Sequence, residues 1–245
     1  MKAKATKLAI ILVSAFFSFL NVEAKNNPAE NQQLDARQKS LVSISSYTTQ
    51  GNIDALNKAL NEGLDAGVTI NEIKELLVQL YAYCGFPRSL NGIGTFMKVL
   101  EERKSNGIND EQGKEIRMHS TSGDRYEKGR KVLEELTQTP QAKPAPGFGE
   151  FSPRIDAFLK EHLFADIFDS DVLSYHQREL ITIASLASLP GAEPQLSAHI
   201  NFGMNVGVTE KQLYGLFAVI EKTAGKEAAE SGRKILKRVI EDRKK

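Results

Sequence analysis

Apolar residues recur at helical spacing along almost the whole chain beyond residue 37. The three- and four-residue steps that place side chains on one helix face are clearest after Thr69. Thr69 and Glu72 also have the spacing of a capping box, which marks the start of a helix. No stretch shows the two-residue alternation of a half-buried strand. The pattern therefore predicts an all-α fold. The apolar positions of this clearest helix are Ile73, Leu76, Leu77, Leu80 and Tyr81.

The same helical pattern occurs twice in the chain. Residues 60–69 read LNEGLDAGVT and residues 200–209 read INFGMNVGVT, and a second capping box begins at Thr209. Upstream, residues 39–44 match residues 178–183 in the same manner. This agreement predicts tandem duplicated helical units. Each unit is too small to bury both faces of its helices, so we expect the units to pack on each other or on other subunits.

The N-terminal segment has the features of a secretory signal peptide. Three lysines precede an apolar run from residue 8 to residue 20, and a small-x-small pattern ends at Ala24. We therefore expect export to the periplasm and no membrane association after cleavage; an uncleaved N-terminal anchor is the alternative. The expected organisation is a signal peptide (1–24), a disordered lead-in (25–36), a first repeat (37–106), a connecting helix and Pro-rich linker (107–149, helical over about 110–136) and a second repeat (150–245).

Composition narrows the class of function. Lysine and arginine (32) nearly balance aspartate and glutamate (31), so no net charge attracts nucleic acid or an anionic membrane. There is no tryptophan to stack on sugars or bases. No phosphate-binding loop or dinucleotide fingerprint is present. The histidines other than His199 lack the spacing of metal ligands, so no metal is expected.

His199 immediately precedes the second copy of the repeated motif, where the first copy has Ala59. It lies on the core-facing side of its predicted helix, so it needs hydrogen-bond partners, and Glu193 and Gln195 are the candidates. The hypothesis is a general acid/base facing a pocket between helices. A core histidine with satisfied hydrogen bonds is the alternative. Ala59 shows that the fold itself does not require an imidazole at this position.

Cys84 is the only cysteine of the chain, and the second copy has Ala224 at its position. It lies at the end of the helix that starts after Thr69, just before Gly85. The positive end of the next helix would favour a thiolate there. A small buried apolar residue is the alternative. No second cysteine lies three residues away, so a two-cysteine redox cycle within the chain is excluded.

Taken together, these motifs resemble the carboxymuconolactone decarboxylase family, which includes the alkyl hydroperoxidase D-like proteins. The resemblance covers residues 37–103 and 125–243. It is carried by His199 with Gly207-Val208-Thr209, by Glu72-Ile73 with Leu76-Leu77, by Tyr83-Cys84-Gly85-Phe86-Pro87 with Asn91, and by Ala165-Asp166-Ile167-Phe168 with residues 178–183.

The resemblance implies an all-α fold that assembles as trimers or hexamers, with sites between helices and subunits and with no cofactor. It implies proton transfer by His199 on a γ-lactone carboxylate. Two features depart from the family pattern. Ser170-Asp171-Val172-Leu173 replaces an Arg-Pro-Gly-Leu segment that would supply a partner for the substrate carboxylate, and Cys84 stands alone where the peroxidase branch has two cysteines.

We therefore expect an exported homo-oligomer that carries out cofactor-free acid/base chemistry, or peroxidase-type thiol redox chemistry, on a small organic molecule. His199 is the expected acid/base, and Cys84 is expected to line the same pocket from the other repeat. The expected substrate-binding or orienting residues are Glu193, Gln195, Arg178 and Tyr83. The alternative is a degenerate, non-catalytic scaffold or binding protein that retains the fold.

Overall fold

The structure, a computed structural model, describes residues 33–117 and 123–245. The expected signal peptide and residues 25–32 of the expected lead-in lie outside the described residues. At the end of that lead-in, Leu34 is buried in the core of the second repeat. Asp35 accepts a hydrogen bond from the Gln38 backbone at 2.7 Å and caps the first helix. Ordered structure thus includes residues before 37.

The all-α prediction is confirmed, and the described residues contain no strand. The first repeat consists of α1 (Ala36–Gln50), α2 (Ile53–Asp65) and α3 (Ile70–Ser105). The predicted capping box at Thr69 is present. At Gly85 the backbone of α3 is non-helical, with φ 83° and ψ 159°, so α3 consists of two helical halves. A positive φ favours glycine, which is why the break falls at this residue.

The second repeat has the same order of helices: α7 (Tyr175–Ala187), α8 (Glu193–Asn205), α9 (Glu210–Thr223) and α10 (Lys226–Asp242). Its capping box at Thr209 is also present. Gly225, with φ 97°, separates α9 from α10 as Gly85 separates the halves of α3. Both predicted capping boxes are therefore present, and a glycine with a positive φ interrupts the helix at the equivalent place in each copy.

The two repeats pack through α1 and α7 with internal two-fold character. The Ser46 hydroxyl lies 2.8 Å from the Ser188 hydroxyl, and the Thr49 hydroxyl donates to Ser185 at 2.8 Å. In the repeat alignment, Ser46 is equivalent to Ser185 and Thr49 to Ser188. Each pair is therefore the reciprocal of the other, as in an isologous dimer interface.

The apolar cores are shared between the repeats. Val42 of α1 belongs to the core built mainly from the second repeat, and its equivalent Ile181 of α7 belongs to the core of the first. Side chains of both repeats therefore pack against α1 and against α7, as expected for units too small to fold separately.

The connection between the repeats differs from the prediction. Helix was expected over about 110–136, but residues 108–117 are not helical and α4 spans Arg125–Thr137. The reason lies at the start of α3, where the backbone N–H groups of Ile70 and Asn71 donate to the carbonyls of Glu111 and Gln112. First-turn N–H groups lack partners within their own helix, and this extended segment supplies them.

Beyond α4 come α5 (Phe148–Phe151), α6 (Pro153–Ala157) and a π-helix (Phe158–Ile167) that packs on α4. A Cβ atom on Gly129 of α4 would lie 1.7 Å from the carbonyl oxygen of Lys160, so only glycine permits this approach. In the part of the chain that the structure describes, no helix has the length and apolarity needed to span a membrane.

Candidate functional site

A cavity of about 920 Å³ lies between the end of the first half of α3, α4, the π-helix and α8. Its walls therefore come from both repeats and from the connection between them. Most of the lining is aromatic or aliphatic. The lining residues with polar or ionisable groups are Tyr81, Tyr83, Thr137, Gln141, Asp156, Lys160, His162, Gln195 and His199.

The central feature of this cavity is a buried histidine–glutamate pair. Nδ1 of His199 on α8 lies 2.8 Å from Oε2 of Glu179 on α7. An ionised carboxylate can only accept, so Nδ1 is the donor, and Nε2 is left as the nitrogen that can exchange a proton with a ligand. The rings of Tyr83 and Phe202 pack edge-on against the imidazole at 5.6 and 5.1 Å. These contacts fix the orientation of the ring.

The partner of His199 corrects the expectation that Glu193 or Gln195 would hold it. Gln195 lines the cavity, but Glu193 lies in a different cleft, with Leu189 and Glu227. Glu179 was missed although a signal was present. The sequence signal is a carboxylate followed by the apolar residues Leu180, Ile181 and Ile183. The structure shows that every residue of this helix from 178 to 187 is buried.

Tyr83 lies in the wall of the cavity, and its ring centroid is 5.6 Å from that of His199. Burial, and then the negative charge of Glu179, raise the pKa of the Tyr83 hydroxyl. The phenol therefore stays protonated at neutral pH and can act as a hydrogen-bond donor.

Cys84 does not line the cavity that contains His199. Its side chain packs against the core of the first repeat, and its Sγ donates to the Leu80 carbonyl at 3.2 Å. Burial raises the pKa of the Cys84 thiol, opposite to the effect expected from a neighbouring helix terminus. The structure therefore corrects the expectation that Cys84 and His199 share one pocket.

Arg178 is not part of the cavity wall either. Its guanidinium is completely buried and donates to Glu75 Oε2, Gln79 Oε1 and the Ser170 carbonyl, each at 2.9 Å. The contacts with Glu75 and Gln79 join α7 of the second repeat to α3 of the first. Arg178 thus holds the repeats together, which corrects its expected role in substrate binding.

Two further ionisable pairs border the cavity. Lys160 is completely buried, and its ammonium group donates to the Tyr126 hydroxyl at 2.8 Å, the Ala142 carbonyl at 3.0 Å and Asp156 at 3.0 Å. His162 of the π-helix contacts Asp166, one helical turn away. Both pairs have a spacing visible in the sequence, but neither was predicted. Among the described residues, no group of three or more histidine, cysteine, aspartate or glutamate side chains could hold a metal ion.

The equivalent place in the first repeat is a separate cleft of about 600 Å³ lined by Ala59. Ala59 corresponds to His199, and Ser40 corresponds to Glu179. The first repeat therefore lacks both members of the pair, and only the second repeat can supply this chemistry.

The comparison with protein-family models agrees with the duplication. The model of the carboxymuconolactone decarboxylase family matches residues 12–95 and 153–238, which together exceed half of the chain. No curated protein matches the chain.

Proposed function

The chain belongs to the carboxymuconolactone decarboxylase family, and we propose that it carries out cofactor-free acid/base chemistry on a small organic molecule in the cavity beside His199. In this proposal His199 transfers the proton, Glu179 orients the imidazole, and Tyr83 and Gln195 contact the bound molecule.

The observation that carries the proposal is the buried Glu179–His199 pair at the wall of a largely apolar cavity. When Nε2 takes a proton from a substrate, the ring becomes positively charged. The carboxylate that accepts the Nδ1–H then stabilises that charge, as in other histidine–carboxylate pairs. A buried carboxylate is costly unless it is paired, so this arrangement suits a function better than it suits packing alone.

Acid/base chemistry is favoured over thiol redox chemistry. A peroxidase mechanism needs a thiolate that meets the substrate, whereas Cys84 lies outside the cavity and burial raises the pKa of its thiol.

We further propose that the protein is exported and forms a homo-oligomer. Export is supported by the predicted signal peptide. Assembly is supported by three large apolar side chains on the second half of α3: Phe86, Leu90 and Met97 are 61%, 59% and 65% exposed. Exposed apolar groups on one helix are typical of subunit contacts.

His199→Gln tests the proposal. The measurement is the exchange of hydrogens next to the carbonyl of γ-lactones and cyclic ketones in D₂O, followed by proton NMR. We expect the wild-type protein to accelerate exchange and the variant to lose about 10²- to 10⁴-fold of that acceleration. His176→Gln is the matched control, since His176 contacts Gln212 outside the cavity.

Equal exchange rates in His199→Gln and wild type, with unchanged far-UV circular dichroism, would contradict the proposal and favour the non-catalytic scaffold.

A further inference from the structure

A second histidine borders the same cavity on a different helix. His162 belongs to the π-helix, whereas His199 belongs to α8. Nδ1 of His162 lies 2.9 Å from Oδ2 of Asp166, which also pairs with Arg125. Because a carboxylate paired with arginine is ionised, Nδ1 of His162 donates to it, and Nε2 is the nitrogen left for proton transfer. The His162–Asp166 pair thus repeats the arrangement of the His199–Glu179 pair.

The two imidazoles are matched in their surroundings but differ in depth. Tyr81 lies 5.5 Å from the His162 ring and Tyr83 lies 5.6 Å from the His199 ring, measured between ring centroids. Both tyrosines come from the end of the first half of α3. The side chain of His199 is 10% exposed and that of His162 is 48% exposed. One imidazole is therefore deep in the cavity and the other is near its opening.

The rest of the lining limits the charge of a ligand. The ammonium group of Lys160 is fully committed to Asp156, Tyr126 and the Ala142 carbonyl. No arginine is among the described residues that line the cavity. Among the described lining residues other than the histidines, no cation is free to pair with a substrate carboxylate. Away from the opening, where His162 lies, a buried carboxylate would be unpaired among aromatic side chains, which is unfavourable, so the deep part of the cavity suits a neutral, mostly apolar group.

We propose that His162 is a second proton-transferring residue of this site, and that the substrate is a neutral, largely apolar ketone or lactone. This inference rests on the proposed role of His199 as the acid/base. In the forward step, Nε2 of His199 removes a proton from the carbon next to the carbonyl.

The electron pair of the broken C–H bond forms a carbon–carbon double bond, and the carbonyl π pair moves to oxygen. The oxygen takes a proton from Nε2 of the His162 imidazolium. The products are an enol, a His199 imidazolium and a neutral His162, so atoms and electrons balance without a cofactor. Return of a proton to the same carbon exchanges its hydrogen. In a β,γ-unsaturated ketone or lactone the enol is a conjugated dienol, so return of the proton to the γ carbon shifts the double bond into conjugation and isomerises the substrate.

The kinetic test uses 2-tetralone, a neutral bicyclic ketone, and follows its exchange in D₂O by proton NMR with the full chain. We expect His162→Gln to lower the protein-dependent rate about 10²-fold or more, the lower end of the range for losing one general acid. Asp166→Asn should lower it less, because Asp166 acts through His162. His176→Gln is the control and should leave the rate unchanged.

The binding test uses 2-naphthol, a neutral analogue of the enol, with ¹⁵N-labelled protein. Proton–nitrogen NMR spectra of the histidine rings, assigned with His162→Gln and His199→Gln, should show both Nε2 signals shifting along one binding curve. A purely structural histidine at the rim would not respond in this way.

Full exchange activity in His162→Gln, together with lost activity in His199→Gln, would overturn the role of His162 and leave the proposed function intact. A 2-naphthol response at His199 alone would overturn it equally. A wild-type protein that fails to accelerate exchange contradicts the proposed function itself, and the inference with it.

Discussion

Replacement of Arg178 by methionine tests whether this residue holds the two repeats together. Methionine retains most of the length of the side chain but none of its hydrogen bonds. The variant would leave the Glu75 carboxylate, whose side chain is only 8% exposed, without its cation. It would also remove the donors to Gln79 and the Ser170 carbonyl.

The free energy of unfolding should fall by about 3 to 5 kcal/mol, the range for removing one partner of a buried ion pair. With a urea dependence of about 2 to 3 kcal/mol per molar, the unfolding midpoint should fall by about 1 to 2.5 M. Urea unfolding followed by far-UV circular dichroism measures this change. Glu75→Gln combined with Arg178→Met should recover part of the loss, because the buried charge is then absent.

Lys39 occupies the equivalent position in the first repeat and is exposed, so Lys39→Met should change stability by no more than about 0.5 kcal/mol. Two results would refute the reasoning about Arg178. One is an unchanged midpoint in Arg178→Met. The other is a loss of 2-naphthol binding with unchanged stability, which would indicate that Arg178 binds the substrate.

Three further experiments test the packing at Gly129, the burial of Cys84 and the helix cap at Thr209. Gly129→Ala should destabilise the protein by about 1 to 3 kcal/mol, because the new Cβ would lie 1.7 Å from the Lys160 carbonyl oxygen. Gly94→Ala is the control: a Cβ there has no atom within 4 Å, so the variant should be more stable by up to about 1 kcal/mol. Urea unfolding measures both changes in stability. Because burial raises the pKa of the Cys84 thiol, iodoacetamide should need a more alkaline pH to label the native protein than the protein in urea, and equal pH profiles would contradict the burial. Thr209→Ala should cost about 0.5 to 2 kcal/mol by removing the N-cap of α9, and an unchanged urea midpoint would show that the cap contributes nothing.

Local features of the fold were predictable from the sequence because they are determined within a few residues. The capping boxes at Thr69 and Thr209 each depend on two side chains one turn apart. The repeated motif also places a glycine at the same point of α2 and α8: a Cβ atom on Gly63 would lie 3.0 Å from Ile44, and one on Gly203 would lie 3.1 Å from Ile183. Equivalent residues in two copies meet equivalent neighbours.

The candidate site was only partly predictable for a physical reason. Periodicity shows which face of a helix is buried, but not which helix packs against that face or at what rotation. The positions of His199 and Tyr83 could therefore be inferred, whereas the contact of His199 with Glu179, twenty residues earlier, could not. Cys84 shows the same limit, since it follows Tyr83 directly, yet its partly buried side chain packs against the core of the first repeat.

The sequence by itself determined the all-α class, the duplication, the helix starts and the presence of a single histidine at the repeated motif. Only the tertiary structure decided that Arg178 joins the repeats, that Glu179 holds His199, and that His162 borders the same cavity. Those relations depend on how helices distant in the chain pack together, and helix packing is set by the complete set of buried side chains rather than by any one segment.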